Sequence, residues 1–170
     1  MSEPIDRSMS QLIEYTKSAH ELLNREIFEG ELSTPFIDFR NISKADSLYG
    51  AFVNDTSKNY ETLLVKEPCA ILLSHELLNE IDNSKSLEEQ NAWIVSTLLH
   101  EMIHQFCHKN NIVDVEDGLH NESFANAAEE HGLMCFSRQT ENGMNCDITY
   151  LDPDWDDLWS KLCADCDECL

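Results

Sequence analysis

Leu98-Leu99-His100-Glu101-Met102-Ile103-His104 is the stretch on which the reading of this chain turns. On an α-helix His100 and His104 lie one turn apart, about 6 Å along the axis, and point the same way. Two imidazoles so placed can share one zinc ion at a Zn–N distance of about 2.0–2.1 Å. Glu101 follows the first of them, and its carboxylate can reach a water at the metal, the pairing of two ligands with a general base used by zinc hydrolases. The surroundings support the helix. Trp93, Ile94, Val95, Leu98, Leu99, Met102, Ile103 and Phe106 alternate with polar residues in a broad apolar stripe without Gly or Pro. Ser86 with Glu89 three positions on has the form of a capping box. The pattern predicts a long, buried helix from about Ser86 to His108.

Composition narrows the alternatives. A chain of 170 residues, 42% apolar, is expected to form one domain around a single core, here residues 1–162, with an acidic Cys-rich tail over 163–170. Its 33 acidic against 11 basic residues give a formal charge of −22. That balance argues against direct nucleic-acid binding, which needs a basic surface to neutralise phosphates. Residues 1–10 have no apolar stretch of signal-peptide length, and no run approaches the roughly 18 apolar residues of a membrane span. The expected compartment is cytoplasmic, with no membrane partner. Seven cysteines, odd in number and uneven in spacing, do not form a secreted disulfide framework. Cys69, Cys107 and Cys135 are most simply small core residues.

Outward from the motif, Gln11 to Phe28 has helical spacing of Leu12, Tyr15, Ala19, Leu22, Leu23 and Ile27, with Gly30 as a stop. Phe36–Arg40, Tyr49–Val53 and Leu63–Val65 are short strand candidates, and residues 54–60 a polar turn. Cys69–Leu73 is a compact apolar strand, and Ser74 is an N-cap for a short helix over His75–Glu80. Beyond the motif helix, the polar segment Lys109–Leu119 contains Gly118, so the chain can turn back. Ser123–His131 reads as a second helix with Phe124, Ala127, Ala128 and His131 on one face, ended by Gly132. Leu133–Arg138 and Met144–Tyr150 flank Asn142-Gly143, a hairpin signal. Met144, Cys146, Ile148 and Tyr150 alternate as in a half-buried strand. Asp152-Pro153 opens a last helix carrying Trp155, Leu158, Trp159 and Leu162.

Catalytic zinc commonly takes three protein ligands and leaves one position for water. His108 continues the helical face of His100 and His104. It lies about 12 Å from His100 along the axis, too far for the three to meet one ion. His120, after the turn and at the start of the next helix, is the better third ligand. The carboxylates Glu116, Asp117, Glu122, Glu129 and Glu130 compete for the same role.

These residues resemble a known family. Ser96-Thr97-Leu98-Leu99-His100-Glu101-Met102-Ile103-His104 is similar to the active-site helix of SprT-like zinc metalloproteases, which include the Spartan proteases of DNA–protein crosslinks. Cys69-Ala70-Ile71-Leu72-Leu73-Ser74 with Leu77-Leu78 looks like the strand and short helix that precede that helix in the family. Phe28, Gly30 and Leu32 resemble its opening segment. His120-Asn121-Glu122-Ser123-Phe124 resembles the His-Gly-x-x-Phe segment whose His is the third zinc ligand. Glu129-Glu130-His131-Gly132-Leu133 and the hairpin after it look like compact phage and bacterial members. The departure is Asn121 in place of Gly, which a left-handed backbone there would tolerate next best.

The resemblance, spanning roughly Gln11 to Leu162, implies an α+β, zincin-like fold: a small mixed sheet packed on a central motif helix, with a C-terminal hairpin and helix. It implies zinc at His100, His104 and His120, catalysis by Glu101, and a protein substrate lying along an edge strand near Cys69–Leu73. The expected activity is that of a zinc-dependent metalloendopeptidase in which Glu101 takes a proton from the attacking water and delivers it to the leaving amine. Tyr49, Tyr60 and His131 are candidates for an additional oxyanion donor, His131 being more simply a core histidine. A second zinc at Cys163, Cys166 and Cys169 is not expected, since structural sites want four ligands and this segment supplies three, unless Cys135 or Cys146 completes them. The rival from another class is a zinc-stabilised acidic module that captures a basic partner without cleaving it.

Overall fold

The computed structural model describes residues 6–42, 49–54, 69–84, 86–140, 143–151 and 156–163, with side chains described outside 134–151 and 163. It is a mixed α+β arrangement. In chain order the elements are α1 (Met9–Ile27), β1 (Phe36–Arg40), β2 (Gly50–Val53), β3 (Ala70–Ser74), α2 (His75–Asn83), α3 (Leu87–Lys109), β4 (Val115–Glu116), β5 (Leu119–His120), α4 (Glu122–Glu130), β6 (Leu133–Thr140), β7 (Gly143–Leu151) and α5 (Asp156–Cys163).

The motif helix α3 is the centre. Ile94, Val95, Leu98, Leu99, Met102, Ile103 and Cys107 are each fully buried. Burying a Leu, Ile or Met side chain contributes about 1.5–3 kcal/mol relative to leaving it exposed, so this one element carries a large share of the core. Around it pack α1, α2, the sheet, α4 and α5, and Leu12, Leu23, Leu77, Ile81, Ile71, Leu73, Phe124, Ala128, Leu158 and Leu162 of those elements share one buried cluster with it. At its start the Ser86 hydroxyl accepts from the Glu89 amide at 3.1 Å, as the Ser–x–x–Glu pattern predicts.

β3 is the middle strand of a three-stranded sheet ordered β1-β3-β2. β1 pairs with it in parallel, Phe36 opposite Ala70 through Arg40 opposite Ser74. β2 pairs antiparallel, Gly50 opposite Leu73 and Val53 opposite Ala70. Every residue of β3 is buried, the signature of a strand covered on both faces. This corrects the expected edge position of Cys69–Leu73. Among the described residues the edges are β1 and β2, and β2 packs on α3.

Several boundaries differ from those the pattern predicts, the short helix α2 for one running on to Asn83. α1 begins at Met9 because Ser8 and Gln11 form a complete capping box, the Ser8 hydroxyl accepting from the Gln11 amide and the Gln11 side chain from the Ser8 amide. The segment expected to be a polar turn over Lys109–Leu119 contains a hairpin, β4–β5. In the C-terminal hairpin Thr140 pairs with Gly143, so Gly143 opens β7 and the connection is residues 141–142, outside the described residues. The Leu63–Val65 strand, Asp152-Pro153, Trp155, Tyr60 and the tail beyond Cys163 also lie outside them, as does the expected side-chain alternation along β7. Cys69 and Cys107 are buried free thiols, as expected of core residues.

Candidate metal centre

His100 and His104 leave α3 on one face. The third imidazole is brought to them by the β4–β5 hairpin, two residues per strand, with Val115 opposite His120 and Glu116 opposite Leu119. Its turn is Asp117-Gly118, with φ of +52° and +78°. Positive φ at both central residues is the type I′ geometry that matches the twist of a tight hairpin, and Asp-Gly is one of its preferred sequences. His120 therefore ends a strand instead of opening a helix. Asn121 follows as the N-cap of α4, accepting from the Phe124 amide at 3.1 Å and donating to the Val113 carbonyl at 2.8 Å. Its backbone is extended (φ −107°, ψ −176°), so the Asn for Gly departure has nothing to do with left-handed backbone; the side chain serves as a cap.

The three rings converge. His104 Nε2 lies 3.2 Å from His100 Nε2 and 3.0 Å from His120 Nε2. Two nitrogens bound tetrahedrally at about 2.0–2.1 Å from one zinc are separated by roughly 3.4 Å, so the spacing is close to that of a filled site. The three form a group that could hold a metal ion. Phe124, fully buried, forms the floor: its ring stacks on His120 at 4.1 Å between centroids and lies 4.6 Å from His104 and 5.1 Å from His100. Burial, then the neighbouring charges of His104 and His120, hold the His100 ring well below the ordinary histidine range, keeping it neutral with a lone pair to give.

Asp114 has no distinguishing mark in the sequence. Its Oδ2 lies 2.6 Å from His104 Nδ1, with both side chains largely shielded. With the Nδ1 proton directed at the carboxylate, the neutral ring presents an unprotonated Nε2 to the centre. Carboxylates placed behind metal-binding histidines fix tautomer and orientation in this way. Asp114 is tied to the hairpin's far end by its carbonyl, which accepts from the Asn121 amide at 3.1 Å. One short segment thus supplies both His120 and the partner of His104. The donor set, three convergent imidazoles with one tautomer fixed from behind, suits zinc.

Glu101 is 4% exposed. Burial raises its carboxyl to about 7, opposed by the His104 charge and by the Phe52 backbone amide, which hydrogen-bonds to the carboxylate; the Asp114 charge adds a small upward push. β2 runs directly over it. A Cβ built on Gly50 would stand 2.9 Å from Glu101 Oε1 and 3.0 Å from the Thr97 methyl.

The remaining candidates are placed elsewhere. His108 is exposed, with Nδ1 2.9 Å from the Asn54 amide nitrogen, consistent with its exclusion as a ligand. Glu116, Asp117, Glu122, Glu129 and Glu130 are all exposed, and none joins the group of three. The His131 ring stacks on Phe28 at 4.6 Å and packs against Phe106 at 4.3 Å, with Nδ1 donating to the Ala127 carbonyl at 2.7 Å, so it is a packing histidine. The Tyr49 hydroxyl donates to Glu80 at 3.3 Å; burial, then the Glu80 charge, raises its pKa.

Among the described residues no helix is long and apolar enough to cross a membrane. The family model described as SprT-like matches residues 16–144, about three quarters of the chain. No curated protein and no solved structure gives a match.

Proposed function

The chain belongs to the SprT-like family, and from that premise we propose that it is a zinc-dependent endopeptidase of zincin-like build, with zinc held by His100, His104 and His120 and with Glu101 as the catalytic base. The observation that carries the reading is the convergence of three imidazole nitrogens from two separate segments beside a buried carboxylate. A zinc ion there would supply Lewis acidity and bring the pKa of a water toward about 7.

The protein's own groups do the rest. Asp114 holds His104 in the tautomer that offers Nε2 inward. Phe124 keeps the three rings at fixed tilts. Glu101, held close to neutrality in its proton affinity, takes a proton from the attacking water and returns it to the departing amine. β3 is the covered middle strand and β2 is an edge strand beside Glu101, which supports reading an extended protein substrate near β2 and not along β3.

The test is Glu101→Gln assayed beside the wild type on unfolded protein substrates, with metal content measured on both. The variant should keep one zinc per chain and lose cleavage by at least a hundredfold. Wild-type protein that binds zinc and a basic partner yet cleaves nothing under varied conditions would instead support the capture module and end the protease reading.

A further inference from the structure

We propose that strand β2 is the positioning element for Glu101, with Gly50 and the Phe52 amide acting together as a backbone clamp on the carboxylate. The proposal rests on the endopeptidase reading for its catalytic consequence, but the clamp itself is a statement about the fold.

Three observations meet at one place. Gly50 is buried in a strand and has no left-handed φ, so its backbone is one that any residue adopts. Glycine in such a position weakens a strand relative to alanine, and what it offers in return is close approach. The approached group is the proposed base: a Cβ would meet Glu101 Oε1 at 2.9 Å, Glu101 Cγ at 3.1 Å and the Thr97 methyl at 3.0 Å. These are two neighbouring turns of α3, a buried helix that cannot yield as a surface side chain would.

The second observation is the direction of the Phe52 amide. The Ser74 amide donates to the Tyr49 carbonyl at 2.8 Å, which makes Tyr49–Ser74 a hydrogen-bonded pair of the β2–β3 ladder. Pairs alternate in an antiparallel ladder, so Ala51 and Val53 bond to β3 while Phe52 turns its amide away from it. That amide is the one that reaches Glu101.

The third is the length of the contact. Beyond Phe52 the strand continues along α3, with the Phe52 ring 5.9 Å from the His108 ring and the Asn54 side chain on His108. Residues 50–54 therefore meet the helix at Thr97, Glu101 and His108, on both sides of Glu101. A glutamate has three side-chain torsions, and burial alone does not choose among its rotamers. The Phe52 amide selects one oxygen position, and Gly50 leaves the room for it.

The test uses the zinc-loaded protein and the zinc-free protein. Gly50→Ala forces the carboxylate aside by several tenths of an ångström, and kcat should fall tenfold or more with KM within threefold and zinc affinity within threefold. Phe52→Pro removes the amide without removing a ladder bond, since that amide faces away from β3. Compared with Phe52→Ala, which loses the ring but keeps the amide, it should show the same selective loss of kcat. In the Glu101→Gln background neither Gly50→Ala nor Phe52→Pro should lower the residual rate further.

Amide exchange of Phe52 provides an arm independent of catalysis. In the zinc-free protein Glu101→Ala should speed exchange at Phe52 at least tenfold, while Ala51 and Val53 change less than threefold. Unchanged exchange at Phe52 overturns the clamp whether or not the protein cleaves peptides, and decides the matter should Gly50→Ala fail to fold. Unaltered kcat in Gly50→Ala and Phe52→Pro, or zinc affinity falling in step with kcat, overturns its catalytic role. A wild type that shows Phe52 protection but no cleavage refutes the endopeptidase reading and leaves the clamp standing.

Discussion

Replacing Asp114 tests whether the centre is built for a metal. The carboxylate is 2.6 Å from His104 Nδ1, and the two side chains are only 19% and 15% exposed, so solvent screens the pair weakly. A ligand ring gains positive character when it binds a cation, and a carboxylate behind it then stabilises the loaded state more than the free one. Removing such a partner costs about 10–100-fold in metal affinity, or roughly 1.4–2.8 kcal/mol. Asp114→Asn keeps an oxygen that can accept the Nδ1 proton and loses the charge, so it should fall at the low end, about tenfold. Asp114→Ala loses both and should approach a hundredfold. Competition for zinc against a chromophoric chelator at fixed pH reads both values directly. The backbone carbonyl of Asp114 that accepts from Asn121 is untouched in either variant, so the hairpin keeps its tether. If both variants bind zinc within twofold of wild type, the ion is not held through His104 in the tautomer inferred, and the assignment of the centre fails.

Other consequences follow from the same packing. Phe124→Ala removes a fully buried ring that supports all three histidines and should cost about 3–5 kcal/mol in denaturant unfolding, with Phe124→Leu costing well under half of that. His20 is buried with Nε2 against the Gln105 side chain at 3.3 Å, and burial, more than offsetting the pull of Gln105 and Glu21, lowers its pKa from 6.5. Below pH 6.5 the unfolded chain then binds more protons at this site than the folded one, so stability is lost as pH falls and is intact above that value. Against the other titrating groups, His20→Gln should flatten the zinc-free protein's decline in stability below pH 6.5, by at most about 1.4 kcal/mol per pH unit; parallel curves for the two proteins would remove His20 from the account. Gly118→Ala meets open space, so only the left-handed φ opposes it, and unfolding experiments should find a loss of about 1–2 kcal/mol.

How much of the molecule is legible in its sequence depends on which residues carry a local signal. α3 is legible because its apolar residues recur with helical period, and that period alone puts both motif histidines on one face. His120 is legible by its place after the turn, once His108 is set aside on geometry, and by family likeness, with nearby carboxylates still competing; it sits at the end of a strand and not at the start of a helix. Asp117-Gly118 is a hairpin signal in its own right, yet the strands it joins have two residues each, too few to show any alternation. Asp114 is one of 33 acidic residues, and nothing in the one-dimensional pattern separates it from the others. Its meaning comes from a contact ten residues away across a turn. The edge strand is hidden for a related reason. Strand order is a tertiary fact, although the unbroken apolar run over Ala70–Leu73 already favours a strand covered on both faces over an edge.

Glu101 is the residue that separates a catalytic centre from a structural one. Every apolar neighbour on the inner side of α3, from Leu98 to Ile103, contributes to folding by leaving water. A carboxylate in the same layer does the reverse, since taking a charged group out of water is costly unless it is neutralised or tightly bonded. A helix selected only to hold an ion between two turns would do better with an apolar side chain at that position, and three imidazoles leave open the fourth position that a structural zinc site closes with a protein ligand. The fold instead commits a glycine in a strand and an amide at a sheet edge to accommodating the carboxylate. Such an arrangement is intelligible if the group is wanted as a base beside the ion, and it has no counterpart in a module whose zinc merely ties segments together.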